Sequence, residues 1–184
     1  MEDSMKDLLV LDFDGVVTKI ELDWYRVRRE ISSILNIKIE SFTRFFEENF
    51  GTITYKLVSD LLEKYEREAL QNAKPYPDVE PTVKLFQGNS IIATMQTETL
   101  VIEFLEKYNL RSYFRKILGR NRFCSKASQL SYIKSVFGDQ YNRIIFIDDS
   151  IYNYNLCITL GLQCYLIRRE KGDSLYTLIM YEVK

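Results

Sequence analysis

Two pairs of aspartates stand directly behind short apolar runs in this chain. Asp12 and Asp14 follow Leu8-Leu9-Val10-Leu11, and Asp148 and Asp149 follow Ile144-Ile145-Phe146-Ile147. An apolar run of that length beside turn residues reads as a strand buried on both faces, so each pair sits at a strand's carboxyl end. In an open parallel sheet, ligands bind outside those ends. Carboxylates crowded on one rim repel one another, and they either shift their pKa values strongly or hold a cation. Oxygen ligands without histidine or thiolate suit a hard cation, Mg²⁺ before others. Thr94, which ends the run Ile91-Ile92-Ala93, and Lys126, at the start of a helix, are expected on the same rim. A lysine in a helix's first turn opposes the helix dipole, at a cost of roughly a few tenths of a kcal/mol, and an anion bound there reverses the sign. Carboxylates, a cation and a lysine beside helix N-termini make a phosphate site. Taken singly, each residue has a plainer reading: Asp12 and Asp14 as turn residues beside Gly15, Thr94 as a strand end, Lys126 as a solvated charge, Asp148 and Asp149 as a helix cap with Ser150. Their joint order favours the site.

Composition removes several alternatives. The chain has no histidine, which excludes Ser-His-Asp and Cys-His mechanisms and histidine metal sites. Cys124, Cys157 and Cys164 contain no C-x-x-C pair and are expected as reduced thiols of a cytosolic chain, too few for a tetrahedral zinc site. Lys and Arg number 25 against 26 Asp and Glu, a net charge of -1, which argues against a coat for nucleic acid or anionic membrane. No apolar run approaches the ~18 residues of a membrane helix. Met1-Glu2-Asp3-Ser4 lacks a basic segment feeding an apolar stretch, so no secretory signal is expected. With 46% hydrophobic and 28% charged residues, the chain reads as globular rather than disordered.

The elements that must position these residues follow from periodicity. The 184 residues suggest about one domain with an insertion. Strands are predicted at 8–11, 91–93, 116–118, 144–147 and 164–167, alternating with helices at 79–86, 100–108, 127–137 and 150–160. Ser125 and Ser150 are candidate N-caps. Such alternation implies parallel pairing and right-handed crossovers, hence a doubly wound α/β sheet. Between the first two strands the pattern changes. Trp24, Val27, Ile31, Ile34 and Leu35 recur at helical spacing after Asp23, a candidate N-cap. Phe42, Phe45, Phe46 and Phe50 make a second stripe ending at Gly51, with Ile53, Leu57, Val58, Leu61, Leu62, Tyr65 and Ala69 as a third. Three amphipathic helices can bury their stripes on one another as a small inserted unit, with the phenylalanines as its core. Pro75-Tyr76-Pro77-Asp78 reads as the connection out of it. The division is residues 1–15 with 76–184 as the α/β core, and 16–75 as the helical insertion. The tail from 173 to 184 fits helix or strand.

Asp12-Phe13-Asp14-Gly15-Val16 behind an apolar strand resembles the first motif of the haloacid dehalogenase-like (HAD) hydrolases. Ile91 to Thr94 resembles the second motif, Lys126 the third, and Ile144 to Ser150 followed by Asn153 the fourth in its paired-acid form. The insertion resembles the family's helical type-1 cap, and Tyr76-Pro77-Asp78-Val79 its re-entry segment. The resemblance implies a Rossmann-like core and Mg²⁺-dependent hydrolysis of a small phosphorylated metabolite through an aspartyl-phosphate. Asp12 is then the nucleophile and Asp14 the general acid and base. Thr94, Met95, Gln96 and Lys126 bind the phosphoryl group, and Asp12, Asp14 (through its carbonyl), Asp148 and Asp149 hold the metal. It further implies a cytoplasmic monomer or homodimer without nucleic-acid or membrane partners. Thr18, Lys19, Trp24, Tyr25 and Arg26 are candidates for selecting the leaving group, although Trp24 reads more simply as cap packing and Arg26 as solvated. Departures are Asp148 in place of the commoner Gly, Asn153 at a later acidic position, Val16 after Gly15, and Gln96 behind the second motif. Asp14 argues against the metal-free dehalogenase branch, which lacks it. A phosphomutase needs the same four motifs. A phospho-accepting receiver module uses similar residues in another order and without the insertion. A non-catalytic binding relative finds no support in motifs that are all present.

Overall fold

The computed structural model describes residues 7–183, so the reading of Met1 to Ser4, and Lys184 of the tail, lie outside the described residues. Strand β1 (Leu8–Leu11) is central and wholly buried. Its residues alternate between two faces, as a strand requires. Leu8 and Val10 pack with Leu130, Ile133 and Phe137 of α6 (Lys126–Phe137) and with Cys157 of α7 (Ile151–Thr159). Leu9 and Leu11 pack with Val79 and Val83 of α4 (Val79–Leu85), Phe104 of α5 (Glu98–Lys107) and Leu175 of α8 (Leu175–Leu178). Helices thus cover both faces, which is why the central strands are continuous apolar runs.

Strands β2 (Ser90–Ala93), β3 (Phe114–Leu118), β4 (Ile144–Asp148) and β5 (Gln163–Leu166) complete a sheet of order β3-β2-β1-β4-β5, with every neighbouring pair parallel. The fold is the expected doubly wound α/β sheet. The chain runs outward from β1 to β3, then returns to β4 on β1's other side. The topological switch point therefore lies between β1 and β4, where loops diverge and leave a crevice. Leu11 pairs with Ile147, and the Asp12 amide donates to the Ile147 carbonyl at 3.0 Å, so the two acidic pairs meet at that crevice. The tail resolves as α8 followed by a wider helical turn, Ile179–Val183.

Between β1 and α4 lie α1 (Trp24–Leu35), α2 (Phe42–Asn49) and α3 (Ile53–Leu70). Asp23, Ser41 and Thr52 cap them by accepting the amides of Arg26, Arg44 and Tyr55. Val27, Ile31, Phe45, Phe46, Tyr55, Val58 and Leu62 form a core of their own, separate from the two sheet faces. The third stripe holds at Val58 and Leu62, which are buried, and at Leu61 and Tyr65, which pack against them, but not at its N-terminal end. Ile53 is 78% exposed and Leu57 is also exposed, as is Phe50 of the second stripe, whereas the buried face of α3 includes Ser59 and Glu66. Those polar residues face inward because a buried arginine from the α/β layer meets them there.

One expectation fails outright. Cys157 and Cys164 form a disulfide, and only Cys124 is a free thiol. Their separation of seven residues carries the chain from the end of α7 round Gly161 into β5, leaving the two Cα atoms 6.0 Å apart, within disulfide range. Among the described residues no helix is long and apolar enough to cross a membrane.

Candidate active site

Three chain segments assemble the acidic centre. Single carboxylate oxygens of Asp12, Asp148 and Asp149 lie within 4.8 Å of one another. Lys126, at the first position of α6, sends its Nζ to Asp12 Oδ1 at 2.8 Å and to within 3.5 Å of Asp148 Oδ2, and donates to the Ala93 carbonyl as well. Helix α6 can begin on a lysine because Ser125 caps it reciprocally with Ser128, and because this lysine answers two carboxylates. Asp148 is fully buried. Its Oδ1 accepts the Ser150 amide at 2.8 Å, and Asn153 Nδ2 reaches both its oxygens at 3.1 and 3.2 Å. Asn153, the departure at the later acidic position, therefore serves as a donor that orients Asp148.

Asp14 stands outside that trio. Its Oδ1 accepts the Ile20 amide at 2.7 Å across a tight turn in which Gly15 donates to the Thr18 carbonyl at 2.8 Å. Gly15 adopts φ +76, and a Cβ on it would fall 2.1 Å from Asp149 Oδ2. Only glycine lets the Asp149 carboxylate lie against this turn. Gly15→Ala is expected to displace Asp149 rather than break the fold, at a stability cost of about 1 kcal/mol from the left-handed backbone. Calorimetry with and without Mg²⁺ checks this: any rise in melting temperature that Mg²⁺ brings to the unsubstituted chain should shrink far more than the melting temperature itself.

The charges of this centre oppose one another. Burial drives the Asp12 carboxyl well above its ordinary range; Lys126 opposes the shift and Asp148 adds to it. Burial likewise pushes Asp14 to about 6, against the Ile20 hydrogen bond, and Asp149 to about 6, with Asp148 adding to it. Burial alone would lower Lys126, but Asp12 and Asp148 outweigh it and hold the ammonium charged. The sign follows from linkage. Carboxyls raised in the folded state keep protons that the unfolded chain has lost, so their contribution to stability falls as pH rises from about 4 to 7. A divalent cation needs those carboxylates deprotonated. Any stabilisation by Mg²⁺ should therefore grow between pH 5 and 7.5; a Mg²⁺-induced melting shift that is constant across that range would contradict a cation held by these carboxylates.

Thr94 lies fully buried at the end of β2. Its hydroxyl donates to Gln96 Oε1, while Gln129 Nε2 takes the carbonyls of Thr94 and Leu118 at 2.7 and 3.0 Å. The segment 94–96 is further held by Arg120, a side chain without solvent contact. Arg120 Nη1 donates to Glu66 Oε1 at 2.8 Å and to the Met95 carbonyl at 2.9 Å, while Nε and Nη2 reach the hydroxyl and carbonyl of Ser59. It also stacks on Phe46 at 5.6 Å. Neither Arg120 nor Glu66 nor Gln129 was evident from the sequence. The only sign was a polar residue, Ser59 or Glu66, on an otherwise apolar helix stripe.

A family model for haloacid dehalogenase-like hydrolases matches residues 6–167. The chain belongs to this family. Solved structures of the same fold include a predicted phosphoglycolate phosphatase from Haemophilus somnus 129PT, 15% identical, covering 99% of this chain and 100% of that one at a TM-score of 0.62. A HAD phosphatase from Thermococcus onnurineus is 20% identical over 94% of this chain and 90% of its own, at 0.55. A candidate β-phosphoglucomutase from Thermotoga maritima is 14% identical over 95% and 90%, at 0.58. At these identities the likeness is one of fold. No curated protein sequence matches the chain.

In this HAD-like hydrolase one open cleft reaches the acidic centre and a second lies beyond it, and Trp24 lines both. One, of about 780 Å³, holds Asp14, Asp149, Lys19 and Tyr76. The other, of about 390 Å³, lies between α1, α2 and the segment behind Thr94. Trp24 is 36% exposed, so its reading as interior packing is corrected: it stands at the first turn of α1, outside the buried stripe of Val27 and Ile31. Thr18 is fully buried and donates to the Lys74 carbonyl, which removes it from contact with a substrate. Arg26 is exposed, beside Glu30.

Proposed function

We propose that this HAD-like hydrolase is a Mg²⁺-dependent phosphatase of small phosphate monoesters, working through an aspartyl-phosphate on Asp12. The observation that carries this reading is the Lys126 ammonium at 2.8 Å from Asp12, inside a group of three carboxylates at the switch point of the sheet. Asp12 needs an adjacent positive charge to be an ionised nucleophile in a desolvated site, and Lys126 supplies one. Three carboxylate oxygens within 4.8 Å, one of them laid against Gly15, fit a hard divalent cation. Asp12, Asp148, Asp149 and the Asp14 carbonyl would hold it. When bound, Mg²⁺ adds positive charge facing the phosphoryl oxygens.

The residues divide the work as follows. An Asp12 oxygen bonds to phosphorus as the ester P–O bond breaks, and Asp14 gives its proton to the departing alkoxide. A carboxyl raised to about 6 holds enough of its acid form near neutrality for that role. Asp14, now ionised, takes a proton from the water that attacks the acyl-phosphate and frees Asp12. The Thr94 hydroxyl and the backbone of Met95 and Gln96 receive the phosphoryl oxygens, with Lys126 offsetting their charge. Helices α1 to α3, within residues 16–75, act as the cap that limits water and selects the leaving group. Its two connections lie side by side, with the Tyr76 amide donating to the Val17 carbonyl at 2.9 Å. We place the enzyme in the cytoplasm with its phosphorylated substrate, where the Cys157–Cys164 bond would meet reducing thiols.

A phosphate-release screen across sugar phosphates, nucleotides, phosphoglycolate and alkyl and aryl esters tests the assignment. Turnover should require Mg²⁺ and be lost with a chelator. A folded protein that releases no phosphate from any ester at saturating Mg²⁺ would refute it.

A further inference from the structure

The cleft of about 390 Å³ has a composition that selects among phosphate esters. Its walls are mainly hydrophobic side chains: Trp24, Tyr25, Phe42, Phe46, Leu62 and Met95. Trp24 and Tyr25, neighbours at the start of α1, are 36% and 61% exposed where they line the cleft. Two charged side chains line the cleft; Arg28 is engaged elsewhere, and Glu66 is bound through one oxygen while its Oε2 is buried without a hydrogen-bond partner. Arg28 stands 5.3 Å from the Tyr25 ring and donates to the Glu40 carbonyl. Glu66, 1% exposed, accepts Arg120. None of Asp12, Lys126, Asp148 or Asp149 lines the cleft, but its walls adjoin the segments that carry the acidic centre. Met95 and Gln96 come directly behind Thr94, Trp24 is shared with the cleft holding Asp14 and Asp149, and the Glu66 charge is felt at Asp14.

We infer that this cleft receives the leaving group of the substrate, and that the leaving group carries an apolar ring. The inference rests on the phosphatase reading and narrows it. A polyol would find hydrogen-bond partners in Ser41, Thr43 and Gln96, but the hydrophobic side chains make the larger share of the wall and would leave its other hydroxyls unsatisfied. A carboxylated leaving group would be repelled by the buried Glu66 carboxylate, which Arg120 holds through one oxygen only. A planar ring removes the exposed faces of Trp24, Tyr25 and Phe42 from water and stacks between them.

The test compares esters whose leaving groups are similar alcohols, so that binding rather than leaving-group chemistry sets the ratio. With Mg²⁺ present, kcat/KM for benzyl phosphate should exceed that for glycerol 1-phosphate and phosphoglycolate by at least ~10-fold, the effect of burying one ring. Phe42→Ala should lower the benzyl-to-glycerol ratio by at least about fivefold. A ratio measured within one preparation does not depend on how much of the variant is folded. Trp24 is the single tryptophan of the chain and lines both clefts, so its fluorescence reports this one without turnover only where the response is lost in Phe42→Ala, since Phe42 lines this cleft alone. Benzylphosphonate should change it saturably, and methylphosphonate should not. Preference for glycerol 1-phosphate or phosphoglycolate, or a ratio untouched by Phe42→Ala, overturns the inference and leaves the phosphatase reading standing. A saturable Trp24 response to benzylphosphonate, lost in Phe42→Ala, with no Asp12-dependent turnover keeps the cleft assignment and overturns the phosphatase reading. Neither response nor turnover overturns both.

Discussion

Asp12→Asn is expected to lower phosphate release by at least ~10³-fold while leaving the fold intact, because an amide cannot form the acyl-phosphate. The variant is informative because its stability should change little. Lys126 would lose its partner at 2.8 Å but keep Asp148 at 3.5 Å and the Ala93 carbonyl, so no charge is left buried alone. The neutral side chain also relieves the repulsion among three crowded carboxylates. Initial rates with the best ester, alongside a thermal melt, check both halves. Undiminished turnover would remove Asp12 from the chemistry.

Arg120→Met should destabilise the protein by about 3–5 kcal/mol, a large share of the roughly 5–15 kcal/mol that holds a domain folded. The substitution leaves the Glu66 carboxylate buried without its cation, and strips donors from Ser59 and from the Met95 carbonyl. Burial already raises the Glu66 pKa against the pull of Arg120, so the charge is costly even in the native pair. Urea unfolding at constant m-value measures the loss. Pairing Arg120→Met with Glu66→Leu removes both charges and should recover most of it, since apolar replacements of buried pairs are often tolerated. A midpoint unmoved by Arg120→Met would mean that this ion pair does not hold α3 against the phosphate-binding segment.

Much of this arrangement was legible because it rests on local rules. Leu8 to Leu11 and Ile144 to Ile147 are apolar on both alternations, and only a strand covered by helices on two faces tolerates that. Asp23, Ser125 and Ser150 accept amides three residues on, as N-cap chemistry requires. Asp12 and Asp148 fall at strand ends, so their meeting followed once the strands were parallel and adjacent. The order β3-β2-β1-β4-β5 is a property of non-local packing and could not be read from alternation alone.

The unread parts depend on distant residues. Arg120 sits behind Gly119 in a segment that reads as a turn, and its partners Ser59 and Glu66 lie 61 and 54 residues away. Without that partner, the apolar pattern of α3 placed Ile53 and Leu57 inward along with Val58 and Leu62; the structure buries the latter two but adds Ser59 and Glu66 beside them and leaves Ile53 and Leu57 exposed. Gln129 interrupts the apolar face of α6, and only the two carbonyls it satisfies explain it. The Cys157–Cys164 bond depends on how α7 folds back onto β5, a geometry that residue spacing does not carry.

The central claim is that the phosphoryl group passes to Asp12, and rapid-quench labelling tests it most directly. An aryl phosphate leaves without needing a proton, so in Asp14→Asn the second step should slow more than the first. Radiolabelled aryl phosphate mixed with Asp14→Asn and Mg²⁺ should deposit label on the peptide containing Asp12 within the first turnover. Label on any other residue, or phosphate released in that first turnover at the steady-state rate with Asp12 unlabelled, would contradict the claim.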